Sequence, residues 1–183
     1  MPSKWSTHAI SPDSDYRRAG IIPFCFKNNV LWFCLGVDRR FGELTDFCVG
    51  IKKRETPLEG AARELFEESS GMFNECLFER PEINTLQSTI CISQGEMTLI
   101  FLPVSYKYMS TEKEDISDEI SSIVWLTKEE LLDSINNQKW DVAKGQFMRC
   151  KYKIWKKLVC FLRRNMKEFL NITNKLNEFY WND

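Results

Sequence analysis

Residues 50–72 read GIKKRETPLEGAARELFEESSGM, and this stretch decides how the rest of the sequence is interpreted. Thr56 can accept hydrogen bonds from free backbone amides, Pro57 fits the first helical position, and Glu59 completes a capping box. We therefore predict a helix over residues 57–69. At about 100° per residue its apolar side chains share one face, which we expect to pack on the core. These core-facing residues are Leu58, Ala61, Ala62, Leu65 and Phe66.

Three glutamates, Glu64, Glu67 and Glu68, lie on the opposite face of this helix at spacing i, i+3 and i+4. Carboxylates at this spacing repel by roughly 0.2–0.5 kcal/mol per pair, and a bound cation would remove the repulsion. Oxygen ligands favour a hard ion, so Mg²⁺ or Mn²⁺ is expected rather than zinc. For the glutamates alone, a solvated acidic face is the alternative interpretation.

The flanking residues resemble the Nudix box, G-x5-E-x7-R-E-U-x-E-E-x-G-U. Glu55, seven further residues and then Arg63-Glu64-Leu65-x-Glu67-Glu68 match the pattern in type and spacing. Two positions depart from it. Gly50 precedes Glu55 by four residues instead of five, and the segment Ser69 to Met72 is one residue longer than x-G-U, with Gly71 as the expected left-handed helix cap.

The resemblance implies a fold and a reaction. The fold is an α/β (α+β) domain, a Nudix-like α/β/α sandwich with a mixed β-sheet. The reaction is hydrolysis of a diphosphate linked to another group, with Mg²⁺ or Mn²⁺ as cofactor. It also implies residue roles: Glu64, Glu67 and Glu68 as metal ligands, Arg63 as the partner that orients a glutamate, and Glu55 and Gly50 as supports of the loop.

The general base is left open between the box and a loop outside it. Glu64 or Glu68 can accept the proton of the attacking water. In several members of the family the base lies on a separate loop, and the acidic segment 107–119 is the candidate here. Within it Glu119 is the first choice and Glu114 the second, with a solvated loop as the alternative.

The remaining β-strands are predicted from short apolar runs bounded by turn residues. IIPFCF and VLWFCLGV flank Lys27-Asn28-Asn29 and predict a hairpin, and DFCVG predicts a short strand ending at Gly50. Strands over 84–93 and 96–106 are expected to meet at Gln94-Gly95. SSIVWL predicts a further strand, followed by a helix over TKEELLDSI with a capping box from Thr127 to Glu130.

A long basic amphipathic C-terminal helix is predicted over about residues 142–170. Ten basic residues and one acidic residue lie between positions 139 and 167. One interpretation is a surface for RNA or a phosphorylated small molecule, and the other is a solvated face. A membrane surface is disfavoured because the apolar face is needed for packing. The candidate polyanion-binding residues are Arg149, Lys153, Lys156, Lys157, Arg163, Arg164 and Lys167.

The net charge of −1 is a cancellation, because 14 basic and 22 acidic residues precede position 136 while 11 basic and 4 acidic residues follow position 135. We predict a flexible arm over 1–18, a hydrolase domain over 19–138 and a C-terminal helical extension over 139–183 packed on the same domain. The sequence has seven cysteines without a Cys-x-x-Cys pair, and we see no signal-peptide or membrane-spanning stretch. These features predict a cytoplasmic or nuclear protein.

Several functions fit these observations. The preferred one is a metal-dependent pyrophosphohydrolase that cleaves the diphosphate linkage of a nucleoside diphosphate derivative. An mRNA-decapping hydrolase that holds RNA with the basic helix, and an inositol pyrophosphate hydrolase, are the alternatives. A non-catalytic Nudix-like binding module is disfavoured, because such modules typically lose box glutamates that this chain keeps.

Overall fold

The computed structural model describes residues 18–74, 90–106, 109, 116–141, 146–147 and 151–180. The strands are β1 (Arg18–Lys27), β2 (Val30–Asp38), β3 (Leu44–Thr45), β4 (Phe47–Gly50), β5 (Ile90–Gln94), β6 (Met97–Pro103), β7 (Ile120–Thr127), β8 (Trp140–Asp141) and β9 (Gln146–Phe147). The helices are α1 (Pro57–Glu68), α2 (Lys128–Asn137), α3 (Lys156–Arg164) and α4 (Met166–Tyr180).

Strand β1 lies at the centre of a mixed sheet. It pairs in parallel with β6 on one side and antiparallel with both β2 and β4 on the other. Strand β4 pairs with the first half of β1, from Arg18 to Ile21, and β2 pairs with the second half, from Phe24 to Lys27. The sheet therefore forks between β2 and β4, and the strand order is β3-β2-β1-β6-β5 with β7 added to β2.

Helices cover both faces of this sheet. Helix α1 places Ala61 and Leu65 in one hydrophobic cluster, and helices α2, α3 and α4 contribute to a second cluster on the other face. In the second cluster the Phe169 ring of α4 lies 5.8 Å from the Phe33 ring and 5.7 Å from the Phe101 ring. The predicted α+β fold with a mixed sheet between helices is confirmed.

Local sequence signals predicted the β1–β2 and β5–β6 turns and the starts of α1 and α2. Asn28 and Asn29 join β1 to β2 with φ of 52° and 61°, the left-handed values that a two-residue type I′ hairpin needs. Gly95, between β5 and β6, has φ of 59°. The capping box of α2 is present, with the Glu130 amide donating to Thr127 Oγ1 at 3.1 Å.

The prediction of one helix over 142–170 is wrong. Strands β8 and β9 pair antiparallel, and α3 begins only at Lys156. Before it, the backbone of Lys153 and Trp155 forms hydrogen bonds of 2.7 and 2.8 Å with that of Leu44 in β3. The helix is then interrupted at Asn165, whose side-chain amide donates to the Phe161 carbonyl at 2.9 Å. Among the described residues, pairing with β8 at 146–147 and with β3 at 153–155 thus takes the place of the predicted helix.

Phe66 is a second correction. It was expected to face the core, but it is 42% exposed. Phe66 lies at the margin of the apolar face, about 80° from Leu58 around the helix axis. Its ring covers the turn after the helix, because a Cβ on Gly71 would lie 3.2 Å from it.

Some predictions fall on residues outside those described. They concern residues 1–17 of the arm, residues 84–89 of the predicted strand, Glu114 and Arg149. The division into arm, domain and extension stays a prediction. Among the described helices, none is at once long enough and apolar enough to cross a lipid bilayer.

Candidate functional site

The first turn of α1 sets the position of the candidate site. Thr56 Oγ1 accepts a hydrogen bond from the Glu59 amide at 3.2 Å, and Glu59 Oε2 accepts one from the Thr56 amide at 2.8 Å. This capping box starts the helix directly after Glu55. Arg63, two turns later, then faces back toward Glu55.

Arg63 and Glu55 form a two-pronged ion pair. Arg63 Nε lies 2.8 Å from Glu55 Oε1, and Arg63 Nη2 lies 3.1 Å from Glu55 Oε2. Glu55 Oε2 also accepts a hydrogen bond from the Lys52 amide at 2.9 Å. The Arg63 hydrogen bonds and then the Lys52 amide lower the pKa of Glu55 to about 2. The pair thus fastens the loop before α1 to the helix itself.

Gly60 makes room for this pair, although the sequence did not mark it as functional. A Cβ at this position would lie 3.3 Å from Glu55 Oε2. Gly60 is buried beneath the loop and also faces Val49 of β4. Its position between Glu55 and Glu64 in a capped helix was the only sequence signal, since glycine is otherwise unfavourable inside a helix.

Arg63 also binds two of the predicted metal ligands. Its Nη1 donates to Glu64 Oε1 and lies 3.5 Å from Glu67 Oε2. The side chain of Glu64 is 13% exposed and that of Glu67 is 55% exposed. Burial raises the pKa of Glu64, with the hydrogen bond from Arg63 opposing it. One guanidinium therefore organises three carboxylates.

Glu68 differs from Glu64 and Glu67 because it is buried, with 6% exposure. The alternative interpretation of a solvated acidic face therefore does not hold for Glu68, whose Oε2 accepts a hydrogen bond from the Cys48 amide of β4 at 3.1 Å. Burial, and next the charge of Glu64, raise the pKa of Glu68 to about 8. A buried carboxylate beside others is a group that a cation would stabilise.

Glu119 lies immediately before β7, and the structure brings it to α1. It is exposed, and its charge contributes to the raised pKa values of Glu64 and Glu68. Its carbonyl accepts a hydrogen bond from the Arg39 amide at 2.8 Å. The guanidinium of Arg39 donates to the Ser117 carbonyl through Nε at 3.2 Å and Nη2 at 2.8 Å. The Glu119 backbone is thus held from the end of β2.

The helix ends in a left-handed turn, as the sequence predicted for Gly71. Gly71 has φ of 72°, and its amide donates to the Phe66 carbonyl at 2.8 Å. Ser70, which occupies the register position of the second glycine of the Nudix pattern, has φ of 50°. The Ser70 hydroxyl donates to the Ile116 carbonyl, so the end of α1 contacts the segment that carries Glu119. Gly50, the glycine that the resemblance assigns to the loop before α1, is the last residue of β4 and pairs with Arg18 of β1.

Asp46 is a buried acidic residue that the sequence did not single out. It lies between β3 and β4 at the fork of the sheet and is 0% exposed. Its Oδ1 is 3.6 Å from Arg18 Nη2, and the Arg18 guanidinium is 4.0 Å from the centroid of the Trp155 ring. Burial raises the pKa of Asp46, with Arg18 opposing it. The only sequence signal was Gly20, which leaves space for this carboxylate.

The basic residues of the C-terminal helices do not form one uniform surface. Arg163 donates to the carbonyls of Ile135 at 2.7 Å, Gln138 at 2.5 Å and Asn136 at 3.3 Å, and so binds the end of α2. Lys157 Nζ lies 5.4 Å from the Trp155 ring centroid. Arg163 and Lys157 are exposed despite these contacts, as are the other described candidates, Lys153, Lys156, Arg164 and Lys167.

The donor set fits a hard divalent cation. Glu64, Glu67 and Glu68 offer oxygen atoms only, and the buried Glu68 carboxylate lies close to the charges of Glu64 and Glu119. As placed, no group of three or more His, Cys, Asp and Glu side chains in the described ranges is arranged to hold a metal ion. Glu64 and Glu67 are paired with Arg63 instead.

Comparison with known proteins supports the fold. No family model matches the sequence, and no curated protein matches it. A mutT/nudix family protein from Listeria innocua is similar over 91% of this chain and 98% of its own, with 16% identity and a TM-score of 0.50. An Ap4A hydrolase binary complex from C. elegans covers 86% of this chain and 97% of its own, with 13% identity and a TM-score of 0.48. The chain is thus similar in fold to the Listeria protein.

Proposed function

We propose that this protein is a divalent-metal-dependent Nudix hydrolase that cleaves a diphosphate linkage. One arrangement carries the proposal. Arg63 binds Glu55, Glu64 and Glu67 together. One turn further along α1, the buried carboxylate of Glu68 accepts a hydrogen bond from β4. An acidic helix face that served only for solubility would not bury one glutamate at the cost of a raised pKa.

Glu64, Glu67 and Glu68 are the proposed ligands of Mg²⁺ or Mn²⁺. When bound, such an ion neutralises phosphate oxygens and lowers the pKa of a bound water. Glu55 and Arg63 keep the loop before α1 and the ligand side chains in fixed relative positions, because a two-pronged ion pair restricts both partners. The backbone of Cys48 orients Glu68 through its amide.

Glu119 is the proposed general base, with Glu64 and Glu68 as the alternatives. It is exposed, so its carboxylate is accessible to the attacking water, and its backbone is held by Arg39. Glu68 is buried and already accepts the Cys48 amide, which leaves it less accessible. A positioned carboxylate of this kind accepts the proton as the water attacks phosphorus.

The proposed substrate is a nucleoside diphosphate derivative. The alternatives need a larger cationic surface, because capped RNA and inositol pyrophosphates carry many phosphates. Arg163, one of the basic residues on which those alternatives depended, is bound to the carbonyls at the end of α2. This contact counts against the alternatives at one position, while Lys153, Lys156, Lys157, Arg164 and Lys167 stay exposed, so capped RNA and an inositol pyrophosphate are included in the screen.

A screen of diphosphate compounds tests the proposal. Dinucleoside polyphosphates, nucleoside diphosphate sugars, a cap dinucleotide, capped RNA and an inositol pyrophosphate are incubated with the full chain in ¹⁸O-labelled water, and products are read by mass. We expect a nucleoside monophosphate as product with Mg²⁺ or Mn²⁺, one ¹⁸O per cleavage, and no reaction with EDTA. Absence of cleavage with both metals, or cleavage that persists in EDTA, would contradict the proposal.

A further inference from the structure

The turn of residues 38–43, between β2 and β3, lies beside the candidate site. Its amide at Arg39 donates to the Glu119 carbonyl at 2.8 Å, and the Arg39 guanidinium binds the Ser117 carbonyl with Nη2 at 2.8 Å. The turn and the segment that carries the proposed base are therefore joined by both backbone and side-chain hydrogen bonds. Arg40 and Phe41, at the tip of the turn, follow Arg39 by one and two residues and so lie next to this junction.

The same turn is braced internally. Asp38 Oδ1 accepts a hydrogen bond from the Phe41 amide at 2.6 Å, and the Asp38 carbonyl accepts one from the Gly42 amide at 2.8 Å. The Asp38 amide donates in turn to the Glu43 carbonyl at 2.8 Å. Gly42 adopts φ of 65°, a value that glycine takes without strain. The tip is thus preorganised, which lowers the entropic cost of binding a ligand.

This braced tip presents an aromatic ring and a cation to solvent. Phe41 is 65% exposed, more than any other large hydrophobic side chain in the described ranges. The Arg40 guanidinium lies 5.1 Å from the centroid of the Phe41 ring. A large apolar ring left in water costs free energy that stacking against another flat ring recovers. The adjacent guanidinium suits a ligand that also carries a phosphate.

We infer that the 38–43 turn is a nucleotide-binding element, in which Phe41 stacks on the nucleobase of the substrate and Arg40 pairs with a phosphate next to it. The position of the reacting diphosphate near Glu119 rests on the proposed function. The turn therefore makes the site selective for nucleotide derivatives over diphosphates that lack a base. Stacking of this kind tolerates any base, because every base has a flat π face.

Binding of two probes to the full chain tests the inference without any hydrolysis. AMP has a base and ribose 5-phosphate does not, and dissociation constants for both are measured by NMR titration. We expect Phe41→Leu to weaken AMP binding about 10-fold and to leave ribose 5-phosphate binding unchanged. Phe41→Trp keeps a stacking ring and should retain AMP binding. Arg40→Gln should weaken both probes.

Tyr106→Leu is the matched control, because Tyr106 is 62% exposed and lies after β6 instead of on this turn. The inference is overturned if the wild-type protein does not bind AMP. It is also overturned if Phe41→Leu leaves AMP binding unchanged or weakens the binding of both probes equally, or if the loss of AMP affinity is caused by Tyr106→Leu. A protein that binds AMP through Phe41 but cleaves no diphosphate refutes only the proposed function. If the protein cleaves a diphosphate but Phe41→Leu does not change its affinity for AMP, only this inference is refuted.

Discussion

Arg63 binds Glu55 across eight residues through two parallel hydrogen bonds, Nε to Oε1 at 2.8 Å and Nη2 to Oε2 at 3.1 Å. This pair joins the loop before α1 to the middle of the helix. Because the same guanidinium also contacts Glu64 and Glu67, it fixes how the candidate metal ligands are presented. The pair is therefore a positioning device whose effect is expected in activity more than in stability.

Arg63→Lys should reduce hydrolysis about 10–100-fold, the usual effect of losing a partner that orients metal ligands. Lysine keeps the charge but cannot form the two parallel bonds with Glu55. Since both side chains are 21% exposed, we expect the free energy of unfolding to fall by about 1 kcal/mol or less. Initial rates and urea denaturation measure the two effects, with Arg164→Lys as the exposed control. Equal rates for Arg63→Lys and the control would refute the positioning role.

The stability of the protein in EDTA should fall as pH rises from about 4.5 to about 8, owing to Glu68. Its pKa is raised by burial from the ordinary value of 4.5 to about 8. In this window the folded state holds a proton that the unfolded state releases, so deprotonation favours unfolding. Across the window, wild type should lose on the order of 2–4 kcal/mol relative to Glu68→Gln. Urea denaturation at stepped pH values measures this difference.

Glu67→Gln is the matched control for this pH effect, because it removes a carboxylate that is 55% exposed and leaves the buried one in place. Its stability should follow the wild-type pH dependence. Added Mg²⁺ at pH 8 should stabilise wild type more than Glu68→Gln, since an ion that binds only the folded state shifts unfolding. Parallel pH curves for wild type and Glu68→Gln would show that Glu68 does not titrate as its burial indicates.

Gly20→Ala should destabilise the protein by about 1–3 kcal/mol, the usual cost of overpacking. A Cβ at this position would lie 1.9 Å from Asp46 Oδ2 and 3.1 Å from the Cβ of Cys48. In an Asp46→Ala background the larger clash is gone, so the same substitution should cost less than half as much. Urea denaturation of the four proteins of this double-mutant cycle checks it. An equal cost in both backgrounds would show that Asp46 does not fill the space above Gly20.

Arg163→Ala should lower the free energy of unfolding by about 1–2 kcal/mol, because three carbonyls at the end of α2 lose a charged donor. The neighbouring Arg164 is exposed like Arg163 but does not share these hydrogen bonds to α2, and Arg164→Ala should change stability by no more than about 0.5 kcal/mol. Thermal and urea unfolding of both variants compare them directly. Similar effects of the two substitutions would show that the contacts of Arg163 with α2 add no stability.

Features that depend on neighbouring residues were predictable from sequence. The start of α1 follows from Thr56, Pro57 and Glu59, and the β1–β2 hairpin follows from two consecutive asparagines. The resemblance to the Nudix box also implied an ion pair between Arg63 and a glutamate, and Arg63 contacts Glu55 and Glu64. In each case a capping bond, a turn dihedral or the helical period determines the structure within about two turns.

Features that depend on distant parts of the chain were not predictable. The helical period places Glu68 on the acidic face of α1. It does not show that β4 covers one edge of that face and buries Glu68. The pairing of Lys153 to Trp155 with Leu44 prevents the early helix start that the amphipathic pattern predicted. The space that the buried Asp46 carboxylate occupies depends on Gly20 of β1, where a Cβ would lie 1.9 Å from Asp46 Oδ2. Each outcome depends on which strands lie side by side.

The most direct test of the central claim compares three glutamine variants of α1 on whichever diphosphate the wild type cleaves fastest with Mg²⁺. Glu67→Gln and Glu68→Gln each remove a proposed ligand, while Glu59→Gln is the control on the same helix, since glutamine can also complete a capping box. We predict that both ligand variants lose at least about 100-fold in kcat/KM, a barrier increase of about 2.7 kcal/mol, and that Glu59→Gln keeps the wild-type rate. Wild-type rates in both ligand variants would contradict the claim that these carboxylates hold the catalytic metal.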